Sequence, residues 1–189
     1  MRRCRWCNPN NPRYIAYHDR EWGKLSLDEG YLYEMLLLEC FQAGLSFECI
    51  LNKREGFRLA FDHFDPHRVA AYGDADIERL MQTDGIVKNR RKIEAAIQNA
   101  AIFLSIEKEF TSFSAYLTSF FPRYPITEQG VITSPISDAI SRDLVRRGMR
   151  FVGSVTIYSY LQAVGLICSH EKGCFLYHPD ERNLSYGTF

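Results

Sequence analysis

The chain has 189 residues, a length that suits one domain with a core large enough to fold without disulfides. Hydrophobic residues make up 46% and charged residues 24%, which excludes the disordered and fibrous classes. Its 23 basic and 23 acidic residues cancel, so nothing in the overall charge favours a polyanion, and any nucleic-acid binding must rest on local basic clusters.

The N-terminal stretch is rich in Pro and Asn, shows little periodicity, and carries Trp6, Tyr14, Tyr17 and Trp22 interleaved with Arg and His. Asp28 or Glu29 can open a helix running to about Ala43 and ended by Gly44, and Ser46 can cap another through about Phe57. Asp74 starts a short helix with Ile77, Leu80 and Met81 on one face. From Asn89 to Leu104, Ile93, Ala96, Ile97, Ala100, Ala101 and Leu104 recur at helical spacing. Ser112 to Phe120 reads as a shorter aromatic helix, and Pro122, Pro125 and Gly130 mark a loop. Ser137 and Asp138 cap a helix ending before Gly148, and Ser154 starts an apolar helix ending near Gly165. The best strand signals are Val131–Thr133 and Arg150–Val152. The pattern predicts an all-α, bundle-like fold with loop-rich ends. Its longest apolar run, Met35–Leu38, is bounded by Glu34 and Glu39, so no membrane span is expected. With no signal-peptide pattern and no apolar seam for a partner copy, the expectation is a cytoplasmic monomer.

Glu39 falls on the buried stripe of the helix from residue 30, at i+7 from Leu32, with apolar neighbours nearly all round. A carboxylate there loses its water, so it is either a structural acceptor or a catalytic group. Directly beyond it, Gln42-Ala43-Gly44-Leu45-Ser46-Phe47 makes a glycine turn with an aromatic at its edge, resembling the wall of a pocket.

Of six cysteines, Cys40 and Cys49 read as small core residues, whereas Cys4, Cys7, Cys168 and Cys174 sit at the two chain ends near histidines. His170 and Cys174 are spaced to share one face, and with Cys4 and His18 they offer four zinc-type donors. Cys4-x-x-Cys7 is a competing pair; His63, His67 and His178 read as surface residues.

Basic residues cluster at Arg2, Arg3 and Arg5, at Lys88-Asn89-Arg90-Arg91-Lys92, and at Arg142, Arg146, Arg147 and Arg150; each alone also fits a solvated face. At Leu80–Lys92 one helix ends, Gly85 makes a turn and a basic helix begins. Turn amides leading into a helix N-terminus, flanked by Lys88, Arg90 and Arg91, suit phosphate in the manner of a helix-hairpin-helix module, or form an ordinary joint. The N-terminal aromatics are core residues or the walls of a stacking pocket.

Taken together, Cys4-Arg5-Trp6, Tyr14 through Gly23, Leu38-Glu39 through Phe47, Lys53-Arg54-Glu55, Phe64-Asp65-Pro66 and Phe151-Val152-Gly153 closely resemble the DNA-3-methyladenine glycosylase I family of helix-hairpin-helix glycosylases. The resemblance implies a single glycosylase domain over residues 1–189, with the helix-hairpin-helix near 76–104 and zinc-binding termini at 1–25 and 165–180. It implies a monofunctional repair enzyme, without lyase activity, that flips 3-methyladenine from double-stranded DNA and hydrolyses its glycosidic bond. By the same resemblance Cys4, His18, His170 and Cys174 hold one structural zinc, and Glu39 is the pocket acid. Tyr17 and Trp6 line the base site, while Gln42, Gly44 and Leu45 fill the gap left in the duplex. Phe47 stands where the family more often has tryptophan, and Arg5 where it has glycine. No acid stands just beyond the hairpin helix, and Asp138 and Asp143 read as cap and surface residues. The rival readings are a DNA-binding relative without excision and a hydrolase with a zinc-bound water.

Overall fold

The computed structural model describes residues 1–177, so His178 lies outside the described residues. These form ten α-helices and one minimal two-stranded pairing. Helix α1 spans Pro12–Arg20, α2 Glu29–Gln42, α3 Phe47–Asn52, α4 Arg54–Ala60 and α5 Pro66–Ala70. Helix α6 spans Asp74–Gln82, α7 Arg90–Phe110, α8 Phe113–Thr118, α9 Pro135–Arg146 and α10 Ser154–Ala163. None of them is long and apolar enough to cross a membrane.

Helix α2 is the axis of the core. Every residue from Leu32 to Phe41 is buried, as expected of a helix without a polar face. Helices α7, α8 and α10 pack around it, with α3 following from its end. Asp28 caps its first turn, and it stops at Ala43, whose ψ of 113° is not helical; Gly44 then takes a φ of +80°. Such a φ favours glycine, which sets the sharpness of the turn.

Several expected elements are corrected. The N-terminal stretch is not irregular: the Asn11 side chain accepts from the Arg13 and Tyr14 amides, Pro12 fills the first position, and α1 buries Tyr14, Tyr17 and His18 on one face. The single helix expected from Ser46 breaks at Lys53 into α3 and α4, and α7 runs on past Leu104. Ser134, not Ser137, caps α9, with Pro135 next and Ser137 closing a capping box. Neither expected strand forms. Phe151 has a φ of +58°, outside the strand region, whereas β1 (Ile126–Thr127) pairs in parallel with β2 (Ile167–Cys168). Cys49 is only half-buried, and Asp143 is no free surface acid, since it pairs with Arg146 and Arg147 and accepts from the Tyr116 hydroxyl at 3.0 Å.

Candidate functional site

Two acids of α2 are buried, and their surroundings separate them. Glu34 is satisfied by Arg54 Nε at 2.6 Å and Arg58 at 2.9 Å, a structural ion-pair cluster that also draws in Glu21. Glu39 is 2% exposed, and its Oε2 has no hydrogen-bond partner among the described residues. Burial alone raises its pKa to about 8, so the empty site favours the protonated acid.

Glu39 opens into a cavity of about 570 Å³, the scale of a small-molecule pocket, whose walls also include Trp6, Tyr14, Tyr17, Trp22, Gln42 and Phe47. Three elements bring these side chains together. Helix α1 supplies Tyr14 and Tyr17, the α2 end supplies Glu39 and Gln42, and Phe47 opens α3. Trp6 meets the Trp22 edge at 4.9 Å and Tyr14 at 5.1 Å. Burial raises Tyr17 well above the ordinary phenol range and Tyr14 to about 12, so both stay neutral donors. Gly44 and Leu45 are not in the cavity wall; they stand exposed at the adjoining turn.

The opposite wall was not anticipated. It is made by Gly130, Val131 and Ile132, by Ser159 and Gln162 of α10, and by Ser169 and Glu171. Ser159 and Gln162 are three residues apart on α10, a polar pair within its apolar Ile157–Ala163 stretch and the available sequence signal. Glu171 accepts from the Arg5 backbone amide at 3.1 Å and from its guanidinium at 3.3 Å, fastening one chain end to the other beside the cavity.

Cys4, His18, His170 and Cys174 are all buried, and their donor atoms lie within 4.8 Å of one another. The Sγ of Cys174 is 3.5 Å from His18 Nε2 and 3.7 Å from His170 Nδ1, and Cys4 Sγ is 3.5 Å from the latter. These separations match the edges of roughly 3.4–3.8 Å expected for a tetrahedral ion with bonds of about 2.0–2.3 Å. His18 Nδ1 faces Asp19 at 2.8 Å, which leaves Nε2 for the cluster. Arg3, hydrogen-bonded to Asp19, holds that carboxyl at about 2. The residues present can hold a metal ion. Cys7 and Cys168 stay outside the group; the Cys7 thiol points at the Tyr14 carbonyl. The cluster touches the cavity through aromatic edges, His170 to Trp22 at 4.7 Å and His18 to Trp6 at 5.2 Å.

Gly85 is exposed at the turn between α6 and α7, and Gly56 of α4 packs so closely on it that a Cβ there would overlap the Gly85 carbonyl. Lys88 is paired with Asp84 and Arg90 with Glu78, whereas Arg91 is exposed with no ion-pair partner among the described residues. Lys92 is not part of a solvated patch: it turns inward and is buried. A second glycine turn, Gly148 to Gly153, joins α9 to α10. Gly153 stands exposed at the α10 N-terminus, with no side-chain cap and open space where a Cβ would be.

The methyladenine glycosylase family model matches residues 6–177. DNA-3-methyladenine glycosylase 1 of Escherichia coli (strain K12) is 44% identical over 183 residues, covering 94% of this chain and 97% of that protein. The crystal structure of a 3-methyladenine DNA glycosylase I superposes with a TM-score of 0.89 at 43% identity, over 94% of this chain and all of that one. A single-residue variant of such an enzyme, solved in complex with 3-methyladenine, has a TM-score of 0.87 at 36% identity, covering 92% of this chain and 96% of that chain.

Proposed function

The chain belongs to the methyladenine glycosylase family, and on that basis we propose that its cavity receives a 3-methyladenine nucleotide flipped from double-stranded DNA and that the enzyme hydrolyses its glycosidic bond. The observation that carries this reading is the Glu39 carboxyl, buried and unpartnered in an aromatic-walled cavity. A nucleotide methylated at N3 of adenine is cationic, so the base departs neutral and needs little general acid. What the site must supply is stacking on the ring and an acceptor for the positive charge. Tyr17 and Phe47, with Trp6, Trp22 and Tyr14 around them, supply the stacking; Glu39 supplies the acceptor. A cation entering next to Glu39 pulls its proton off, because the ionised form is then paired, and a neutral base has no such effect. The site thus favours labile cationic bases over stable lesions such as uracil. Ionised Glu39 also stabilises the oxocarbenium-like sugar that forms as the bond breaks.

Gln42, Gly44 and Leu45 then occupy the space that the nucleotide leaves, and the strand backbone is held by the Gly85 helix-hairpin-helix turn with Lys88, Arg90 and Arg91. The first amides of α10 after Gly153 offer a second phosphate contact. Cys4, His18, His170 and Cys174 would hold a zinc with four protein donors, so that it would serve a structural part and leave no position for a reacting water. Its effect is mechanical, fixing the two histidines on which Trp6 and Trp22 rest. In this reading the enzyme is monofunctional and acts as a monomer in the cytoplasm.

The test is release of radiolabelled base from methylated duplex DNA, with the product identified by chromatography, for the wild type and Glu39→Gln. Release of 3-methyladenine that weakens in the variant supports the assignment. Uracil or hypoxanthine leaving at a comparable rate overturns the charge-based mechanism. No release by folded protein that still binds abasic-site DNA points to a DNA-binding relative.

A further inference from the structure

Lys92 is 7% exposed, and its Nζ donates to the Phe41 carbonyl at 2.7 Å and the Ala43 carbonyl at 2.6 Å. Both acceptors lie at the end of α2, where the helix stops and its last carbonyls have no helical amide to receive. Among the described residues no carboxylate pairs with this ammonium; apart from the carbonyls it meets the face of Phe151, 5.8 Å from the ring centroid. The charge is therefore held by the negative end of a helix and by an aromatic ring, with no carboxylate among the described residues to pair with it.

The position matters more than the bonds. Lys92 sits in the first turn of α7, directly after the Gly85 turn, and Phe151 belongs to the Gly148–Gly153 turn before α10. Further along α7, Asn99 exchanges hydrogen bonds with the Arg150 backbone at 2.9 Å each way, and Gln98 donates to the Gly148 carbonyl at 2.8 Å. One face of α7 thus joins both glycine turns to the end of α2. The residues immediately beyond the two clamped carbonyls are Gly44 and Leu45, and Gln42 lies between them.

We infer that Lys92 is a positioning residue that fixes the Gln42–Leu45 turn relative to the two backbone-gripping turns, so that gripping the strand places this turn for nucleotide extrusion. The inference rests on the glycosylase reading above. It separates two properties that a purely structural lysine would couple. Lys92 does not itself line the cavity, so the affinity for free 3-methyladenine survives its loss, while extrusion from a duplex does not.

The experiment compares wild type with Lys92→Arg, Lys92→Gln and Lys92→Met. It measures free 3-methyladenine binding by tryptophan fluorescence, single-turnover base release from methylated duplex, and fluorescence of 2-aminopurine placed beside the lesion. Lys92→Met is expected to bind the free base within about twofold of wild type, to release base from duplex about tenfold more slowly or worse, and to lose the 2-aminopurine signal. Lys92→Arg, which keeps a donor cation, restores part of the rate. Adding Leu45→Ala to Lys92→Met costs little further rate, because both act on one step. Duplex release within twofold of wild type, or a parallel loss of free-base affinity, overturns the assignment. If Lys92→Met does not fold, Lys92→Gln, which can still donate to one carbonyl, decides by the same criteria. Absence of release by the wild type would instead overturn the underlying glycosylase reading.

Discussion

The rings of Tyr17 and Phe47 meet at 5.0 Å between centroids and are tilted by 44°. The N-terminus of α3 and a residue in the second turn of α1 thus share one cavity wall. A phenyl ring covers less of a purine than an indole does and has no N–H to donate. Phe47→Trp is expected to tighten base binding by about 2–10-fold, and Phe47→Ala to weaken it by a similar factor, measured by fluorescence titration with 3-methyladenine. Equal affinity in all three proteins would show that this ring does not stack on the base.

The raised pKa of Glu39 makes stability depend on pH with a definite sign. The group ionises near 4.5 when unfolded and near 8 when folded, so between these values the native state binds more protons. Stability is therefore lost as pH rises from about 4.5 to about 8. Glu39→Gln, which cannot ionise, is expected to unfold at higher urea than wild type at pH 8.5, by on the order of 1–3 kcal/mol, with the gap narrowing towards pH 5. A gap that widens at low pH would contradict the burial argument.

The same titration appears in catalysis. At limiting substrate, base release by the wild type rises with pH towards about 8 as free Glu39 ionises, whereas Glu39→Gln gives a low, flat profile over that range. A wild-type profile that falls across this range would assign Glu39 the role of an acid.

If Cys4, His18, His170 and Cys174 hold a metal as proposed, its removal acts through folding and through the two tryptophans. Chelation, or Cys174→Ala, is expected to lower Tm by about 5–10 °C and to slow base release by the molecules that remain folded. Replacement by cobalt or cadmium restores both, because only the tetrahedron matters. Dependence of the rate constant on metal identity at equal stability would revive a zinc-bound nucleophile.

Gly56 permits α4 to lie against the Gly85 turn. Gly56→Ala forces the two backbones apart, at a cost of about 1–3 kcal/mol by urea unfolding. The displaced turn also weakens binding of abasic-site DNA while free-base affinity stays the same. An unchanged midpoint would mean that α4 can withdraw without cost.

Helix α7 was legible because its apolar residues recur every third or fourth position, and α2 because Asp28 and Gly44 bound a run that is apolar nearly all round. Helix α1 was missed although Asn11 and Pro12 are a cap signal and Tyr14, Tyr17 and His18 stand at i, i+3 and i+4, because nine residues after a Pro- and Asn-rich stretch give that stripe only one repeat. The strands could not be read, since two residues at Ile126 pair with two at Ile167 only through a contact set by the whole fold. Glu39 was legible as buried. That Glu34 is harmless and Glu39 is not depends on Arg54 and Arg58, which lie on another helix. Lys92 looked like one more charge in a basic run, and only the end of α2, far away in sequence, explains its burial.

The metal-binding cluster has a consequence for how the protein is made. Cys4 and His170 lie 166 residues apart, so the ribosome releases one half of the site long before the other. The helices between can settle early, and Trp6 can meet His18 as soon as α1 forms, but Trp22 lacks the His170 ring until the segment after β2 emerges. A nascent or cleaved chain ending before His170 would therefore carry a helical body without a finished base pocket. The base pocket is thus completed only when the segment carrying His170 and Cys174 folds back onto Cys4 and His18.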